Sequence, residues 1–346
     1  MSSAVNNSTA MVLLLSSSEL QFFNIVLPII SIVGLFINIA VIAVILTDRE
    51  MRQTTASIYI VNLAVSDILV LIVGVPLWIY QLVSKNSADW SCQLTFGLSY
   101  VTSVVSVITL AIISYDRYRC VMQPFNQETG KSFAVKVVST CWLVGTVLAA
   151  PFFSGYKASH HVVTFQISAF CVYTRFFRQE FMVGKLIVIV ILIILSTYFY
   201  YKLCRVARAQ AALIKKDMEV MNRVSQNSNN NDQQQTIRRQ KGHKIMKATK
   251  TLGFILGAMI LCWIPFLIIS IIDSFDVTLF SVFTLKLLGT ITYLNSILNP
   301  IIYTFMTRAF KTSITKRFFR FKRKLSQKSM TDIRSCVATN NNATAT

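Results

Sequence analysis

Seven nearly uncharged apolar stretches dominate this sequence, at residues 22–46, 56–83, 94–121, 137–153, 181–201, 252–272 and 282–306. Each is long enough to cross the hydrocarbon core of a bilayer, roughly 30 Å thick, as a helix. Within that core every backbone polar group needs an internal partner, so only helices or closed barrels can span it. Barrel strands alternate apolar and polar residues, and these stretches do not. The chain is therefore expected to be an all-α membrane protein, a seven-transmembrane helix bundle over residues 22–306. No cleavable signal peptide is expected. Residues 1–21 lack a basic start, and the first apolar run is long enough to be retained as a span.

Charge placement then orients the bundle. A net charge of +20 points first to nucleic acid, yet all but six of the 34 lysines and arginines fall in alternate gaps between spans and in the tail. By the positive-inside rule those segments are cytoplasmic and the N-terminus is outside, as in a multi-pass protein of the plasma membrane. The positive charge faces anionic lipid and a cytoplasmic partner, with no nucleic acid called for. Residues 207–245, rich in Gln and Asn and basic at both ends, read as a flexible third cytoplasmic loop with helical extensions. In 307–324, Phe310, Ile314, Phe318 and Phe321 recur at helical spacing among basic residues, so a short amphipathic eighth helix is expected on the inner leaflet. Residues 325–346 form a basic, disordered tail in which Ser326, Ser329, Thr331 and Ser335 are candidate phosphorylation sites. The glycosylation sequons at Asn6 and Asn7 fall outside, whereas that at Asn342 falls inside and is expected to be silent.

Of the seven cysteines, only Cys92 and Cys171 lie at or beyond the outer ends of spans, the oxidising side, so they are the expected disulfide. Cys120, Cys204 and Cys336 are on the inner side, while Cys141 and Cys262 lie within the membrane, where a thiol packs as a small apolar group.

The polar exceptions within the spans carry the chemistry. Asp67 sits where a carboxylate costs a few kcal/mol, about 2.5–3.5 on the insertion scale, so it must face the bundle interior, as a hydrogen-bonded acid or as a cation ligand. With Ser106, Asn295, Ser296 and Asn299 it would form a hydrated polar cluster large enough for a sodium ion. Two readings of Lys185 stand: a lysine snorkelling to the outer interface, or a cation lining a ligand cavity. His160 and His161 are adjacent with no third ligand nearby, and read as solvated loop residues rather than a metal site. Pro265, two residues after Trp263, removes a helix hydrogen bond and is expected to kink the sixth span. The third span ends abruptly at Asp116-Arg117-Tyr118, a charge pair that must mark the membrane boundary.

In their order and placement, Gly34…Asn38, Asn62-Leu63-Ala64…Asp67, Cys92, Asp116-Arg117-Tyr118, Trp142, Cys171, Cys262-Trp263-x-Pro265 and Asn299-Pro300-x-x-Tyr303 resemble the rhodopsin-like (class A) G-protein-coupled receptors from Gly34 to Phe321. The resemblance implies that Cys92 and Cys171 tie the third helix to the second outer loop. It also implies that Arg117, held by Asp116 when inactive, turns to a heterotrimeric G protein on activation. Tyr118 would complete that motif, Tyr200 and Tyr303 would join it in the active state, and Pro124 and Phe125 would contact the G protein from the second cytoplasmic loop. Asp67, Ser106, Asn295, Ser296 and Asn299 would be the sodium pocket, sodium being an allosteric modulator rather than a cofactor. Trp263 would be the switch beneath the ligand. Receptor kinases and arrestin would act at the tail.

The biogenic-amine and trace-amine branch is nearest in motif, but where those receptors carry an amine-binding aspartate this chain has Ser99. The fifth-helix proline is replaced by Leu192, its partners by Val107 and Met259, and no acid stands at Ile245 to latch Arg117, so raised basal signalling is expected. The implied ligand pocket comprises Trp78, Ser99, Tyr100, Ser103, Lys185, Phe266, Thr292 and Tyr293. A small extracellular molecule related to amine-receptor ligands is the leading expectation, zwitterionic or anionic if Lys185 takes part; a peptide or lipid is the alternative. A transporter would show repeats or broken helices in matching halves, and an enzyme would need a paired acid, nucleophile or metal set; neither is present in the sequence.

Overall fold

The computed structural model describes residues 15–84, 88–122, 130–163, 166–173, 178–224, 230–274, 280–306, 312, 313 and 315. Helix α1 (Ser17–Thr47) opens on a capping box, in which the Ser16 hydroxyl accepts from the Glu19 N–H and the Glu19 carboxylate accepts from the Ser16 N–H. Helix α2 (Thr55–Val83) is capped by the Thr54 hydroxyl and widens to a π-turn over Val70–Gly74 just before Pro76, which has no N–H for the ladder. In that turn the Leu71 carbonyl accepts the Ser31 hydroxyl of α1 at 2.8 Å. Beside it, a Cβ on Gly34 would lie 2.6 Å from Leu71 Cδ1, so glycine sets how closely α1 approaches α2.

Helices α3 (Asp89–Met122) and α4 (Lys131–Ala149) follow, then an antiparallel hairpin of β1 (Tyr156–Val163) and β2 (Gln166–Tyr173) with Ala158 opposite Cys171. The chain continues as α5 (Arg178–Val224), α6 (Asn230–Ser274) and α7 (Val282–Met306). Six of the helices, α1 to α6, are long and apolar enough to cross a membrane; α7, at 25 residues, completes the seven. Neighbours in sequence pack side by side from α1 to α4, α5 packs on α3 and α6, and α7 closes the ring against α6 and α1.

Helix α3 is the axis: 72% of its most apolar stretch is buried, against 22% in α4 and 11% in α5. Lipid takes the remaining apolar faces, which is why Phe36, Leu143, Ile194 and Leu261 are exposed to the bundle's outside.

Three features differ from expectation or extend it. The loop between α4 and α5 holds the hairpin, and His160 and His161, expected as solvated loop residues, lie on β1 opposite Ala169 and Ser168. The segment 207–245, expected as a flexible loop with helical extensions, is helical through Val224 and again from Asn230. Of the expected eighth helix only Thr312, Ser313 and Thr315 are described, all helical, with the buried Ser313 hydroxyl donating to the Asp48 carboxylate. The N-terminal sequons, Pro124 and Phe125, the 325–346 tail and Asn342 lie outside the described residues.

One polar clasp joins three helices. The buried Asn62 amide donates to Thr109 Oγ1 at 2.8 Å, and its carbonyl oxygen accepts the Trp142 indole N–H at 2.8 Å. Asn62→Leu strands the Trp142 donor in an apolar interior, which costs about 1–3 kcal/mol. A lower midpoint for thermal loss of the monodisperse peak in detergent is the expected result.

Candidate functional site

On the inner half of the bundle, Asp67 is 4% exposed and its carboxylate accepts the Asn299 amide at 3.3 Å. Ser66 and Ser106 share a hydrogen bond of 3.1 Å, and the Asn38 amide donates to the Ser296 carbonyl at 2.8 Å, locking α1 to α7. A cavity of about 30 Å³ lies here, to which Ser66, Asp67, Ser103, Ser106, Asn295 and Ser296 bring polar groups. Two buried acceptors, Asn295 Oδ1 and Asn299 Oδ1, have no hydrogen-bond donor. An anionic carboxylate beside unfilled amide oxygens and hydroxyls is the donor set of a small hard cation, so the residues present fit sodium.

Outward of this lies a second, larger cavity of about 120 Å³, walled by Trp78, Tyr100, Phe152, Phe266 and Tyr293, with Ser99, Thr292 and Lys185 supplying polar groups. Every expected pocket residue borders it except Ser103, which lines the smaller cavity instead. Aromatic edges build the wall: Trp78 meets Tyr293 and Phe96 at centroid distances of 6.4 and 6.1 Å, and Trp263 meets Phe266 at 6.4 Å. Lys185 Nζ stands 5.6 Å from the Phe152 ring centroid, and the side chain borders this cavity. Ser99, Trp263, Thr292 and Tyr293 border both cavities, forming a shared partition.

Sequence reasoning missed Lys286. Its ammonium lies 4.3 Å over the Trp78 ring, one helical turn outward from Gly289. A lysine near the end of a span reads as snorkelling, so only the packing of α7 on α2 reveals it.

At the inner end, Arg117 pairs with its neighbour Asp116 at 3.9 Å, and Tyr118 packs on the core of α3, α5 and α6. Val107 and Met259 belong to that core and Leu192 packs against it, so the three departures at the usual proline site join one apolar cluster. Tyr200 lies against Gly253 of α6, where an added Cβ would overlap the phenol oxygen. Gly253→Ala is therefore expected to expel Tyr200 from this position at little folding cost, because the ring swings on a flexible side chain. If that position belongs to the resting state, basal nucleotide exchange rises in membranes carrying the variant at matched receptor density. The side chains of Ile245 and Tyr303 lie outside the described residues. Cys92 is fully buried and disulfide-bonded, while the side chain of Cys171 is likewise not described.

Residues 37–303 match the family described as 7 transmembrane receptor (rhodopsin family). Among relatives, the chain is 27% identical to the D(1B) dopamine receptor of Xenopus laevis over 78% of its own length and 64% of that receptor's. It is 26% identical to neuromedin-U receptor 2 of Mus musculus, over 84% of this chain and 73% of the relative. Similarity to the allatostatin-A receptor of Bombyx mori is also 26%, over 83% and 76% of the two chains. Amine and peptide receptors thus stand at nearly equal distance.

Proposed function

Because the chain belongs to the rhodopsin family of seven-transmembrane receptors, we propose that its outer cavity binds a small extracellular ligand and that α6 and α7 relay occupancy to the inner face. It is a G-protein-coupled receptor and not an enzyme. The observation that carries the relay is the partition of Ser99, Trp263, Thr292 and Tyr293 between the two cavities. A ligand pressing on that wall alters the polar cluster below it, and a two-state bundle responds only to such differential contact.

Pro265, two residues from Trp263, leaves α6 with a missing hydrogen bond at the level of the wall, so displacement of the indole is converted into swing of the inner half of α6. Opening there would free Arg117 from Asp116 to face the G protein, with Tyr200 and Tyr303 closing around it and Pro124 and Phe125 contributing from the second cytoplasmic loop. Asp67, Ser106, Asn295, Ser296 and Asn299 would hold sodium, which supplies a compensating positive charge that favours the closed cluster. The setting is the plasma membrane with the N-terminus outside, Asn6 and Asn7 glycosylated, Cys92 bridged to Cys171 and the eighth helix resting on inner-leaflet lipid. Receptor kinases and arrestin would engage residues 325–346.

A small ligand fits better than a peptide, since the cavity wall is mostly apolar, aromatic and aliphatic side chains together, with few polar groups. Energy-transfer sensors for each class of G protein test the reading. Cells expressing the receptor without added ligand are expected to show exchange above mock-transfected cells for at least one class. Signal no higher than mock with every sensor would overturn the weakly latched resting state.

A further inference from the structure

We propose that the ligand is an organic acid, an aromatic or apolar body bearing a carboxylate, and that Lys286 is its counter-ion on the wall shared by α2 and α7. The proposal rests on the receptor reading above and names the chemistry of the same cavity. Three observations converge on that wall. The Lys286 ammonium sits 4.3 Å over the indole of Trp78, a residue that lines the cavity, and it has no ion pair among the described residues. The Trp78 indole N–H, on a residue only 7% exposed, has no acceptor. Gly289 lets the indole lie flat on α7, since a Cβ there would come within 3.2 Å of Trp78 Cζ2 and 3.7 Å of Phe266.

A cation and a buried N–H donor side by side leave one group to be supplied, an acceptor with negative charge. No Asp or Glu lines the cavity among the described residues, so a ligand ammonium would find no carboxylate there. Aromatic faces at Tyr293, Phe96 and Phe266 receive the apolar body, and the second cation, Lys185, stands across the cavity by Phe152. Lys185 is secondary, because the unpaired indole donor belongs to the opposite wall.

Matched probes that differ in one group test this: phenylacetate, phenylacetamide and phenethylamine, with indole-3-acetate, indole-3-acetamide and tryptamine. Thermal stabilisation of purified receptor reports binding, and nucleotide exchange in membranes reports signalling. The acids are expected to stabilise wild type and the amines not. Lys286→Gln is expected to weaken acid binding by about tenfold or more, the usual effect of losing a charge-assisted bond. Lys286→Arg retains the acid response, Trp78→Phe weakens it by several-fold, and Lys185→Gln has the smaller effect. Should Lys286→Gln fail to fold, the Lys286→Arg and Trp78→Phe variants still decide. No stabilisation by either acid, stabilisation by the amines instead, or acid binding unchanged in Lys286→Gln or Trp78→Phe would each overturn the proposal. Basal exchange measured on the same membranes separates the outcomes: if it persists while acids fail, the ligand class is wrong and the receptor stands.

Discussion

Arg117→Ala is expected to abolish both basal and ligand-evoked nucleotide exchange while leaving the receptor folded at the cell surface. The Arg117 side chain is 35% exposed and its ion pair with Asp116 is 3.9 Å long, between adjacent residues of one helix. The Arg117 end is open to water, and the buried Asp116 keeps a further interaction, so this long pair contributes only about 1 kcal/mol to stability. Its removal therefore spares folding and takes away the cation that the inner opening would present. Surface staining equal to wild type with exchange at mock level is the expected outcome; exchange near wild type would place coupling elsewhere. Asp116→Asn should act in the opposite direction, since weakening the pair frees Arg117, and basal exchange rises at matched density.

Asp67→Asn carries the second large effect, loss of sodium sensitivity. The carboxylate is buried at 4% exposure beside Asn299, with the unfilled oxygens of Asn295 and Asn299 nearby. An amide has nearly the same shape and keeps a partner in Asn299, but it removes the one negative charge in the cluster. A fixed buried charge without a mobile counter-ion is costly, so the neutral variant is expected to be at least as heat-stable as wild type. Replacing choline chloride by sodium chloride at constant ionic strength should lower basal exchange of wild type by about fivefold, the lower end of usual allosteric coupling. The same replacement should leave Asp67→Asn unchanged. Equal sodium responses in the two proteins would exclude the cluster as the cation site, whatever the ligand proves to be.

These effects arise at positions that sequence reading reached, and the reasons are physical. A carboxylate at bilayer depth and a charge pair ending a long apolar helix are costly enough to be conspicuous, so Asp67 and Arg117 stand out without any structure. Lys185 is less legible, because a cation one turn inside a span can reach either water or a cavity, and its position by Phe152 comes only from packing. Ser103 was expected in the ligand pocket but lines the inner cluster, since a small rotation of α3 separates one face from the next. The hairpin left no clear sequence signal, as its two eight-residue strands lie in a loop flanked by stronger apolar spans.

By itself the sequence determined that the chain is a multi-pass helical membrane protein and which residues are costly to face lipid, because both follow from local transfer energies. Only the tertiary structure decided what those residues face. The Asn62 clasp, the seat of Lys286 on Trp78 and the wall common to both cavities join side chains on different helices. Within a bilayer, helix rotation and spacing are set by close packing and a few interhelical hydrogen bonds rather than by apolar pattern, since lipid is as apolar as the core. Pattern therefore names the helices, and packing alone assigns their faces.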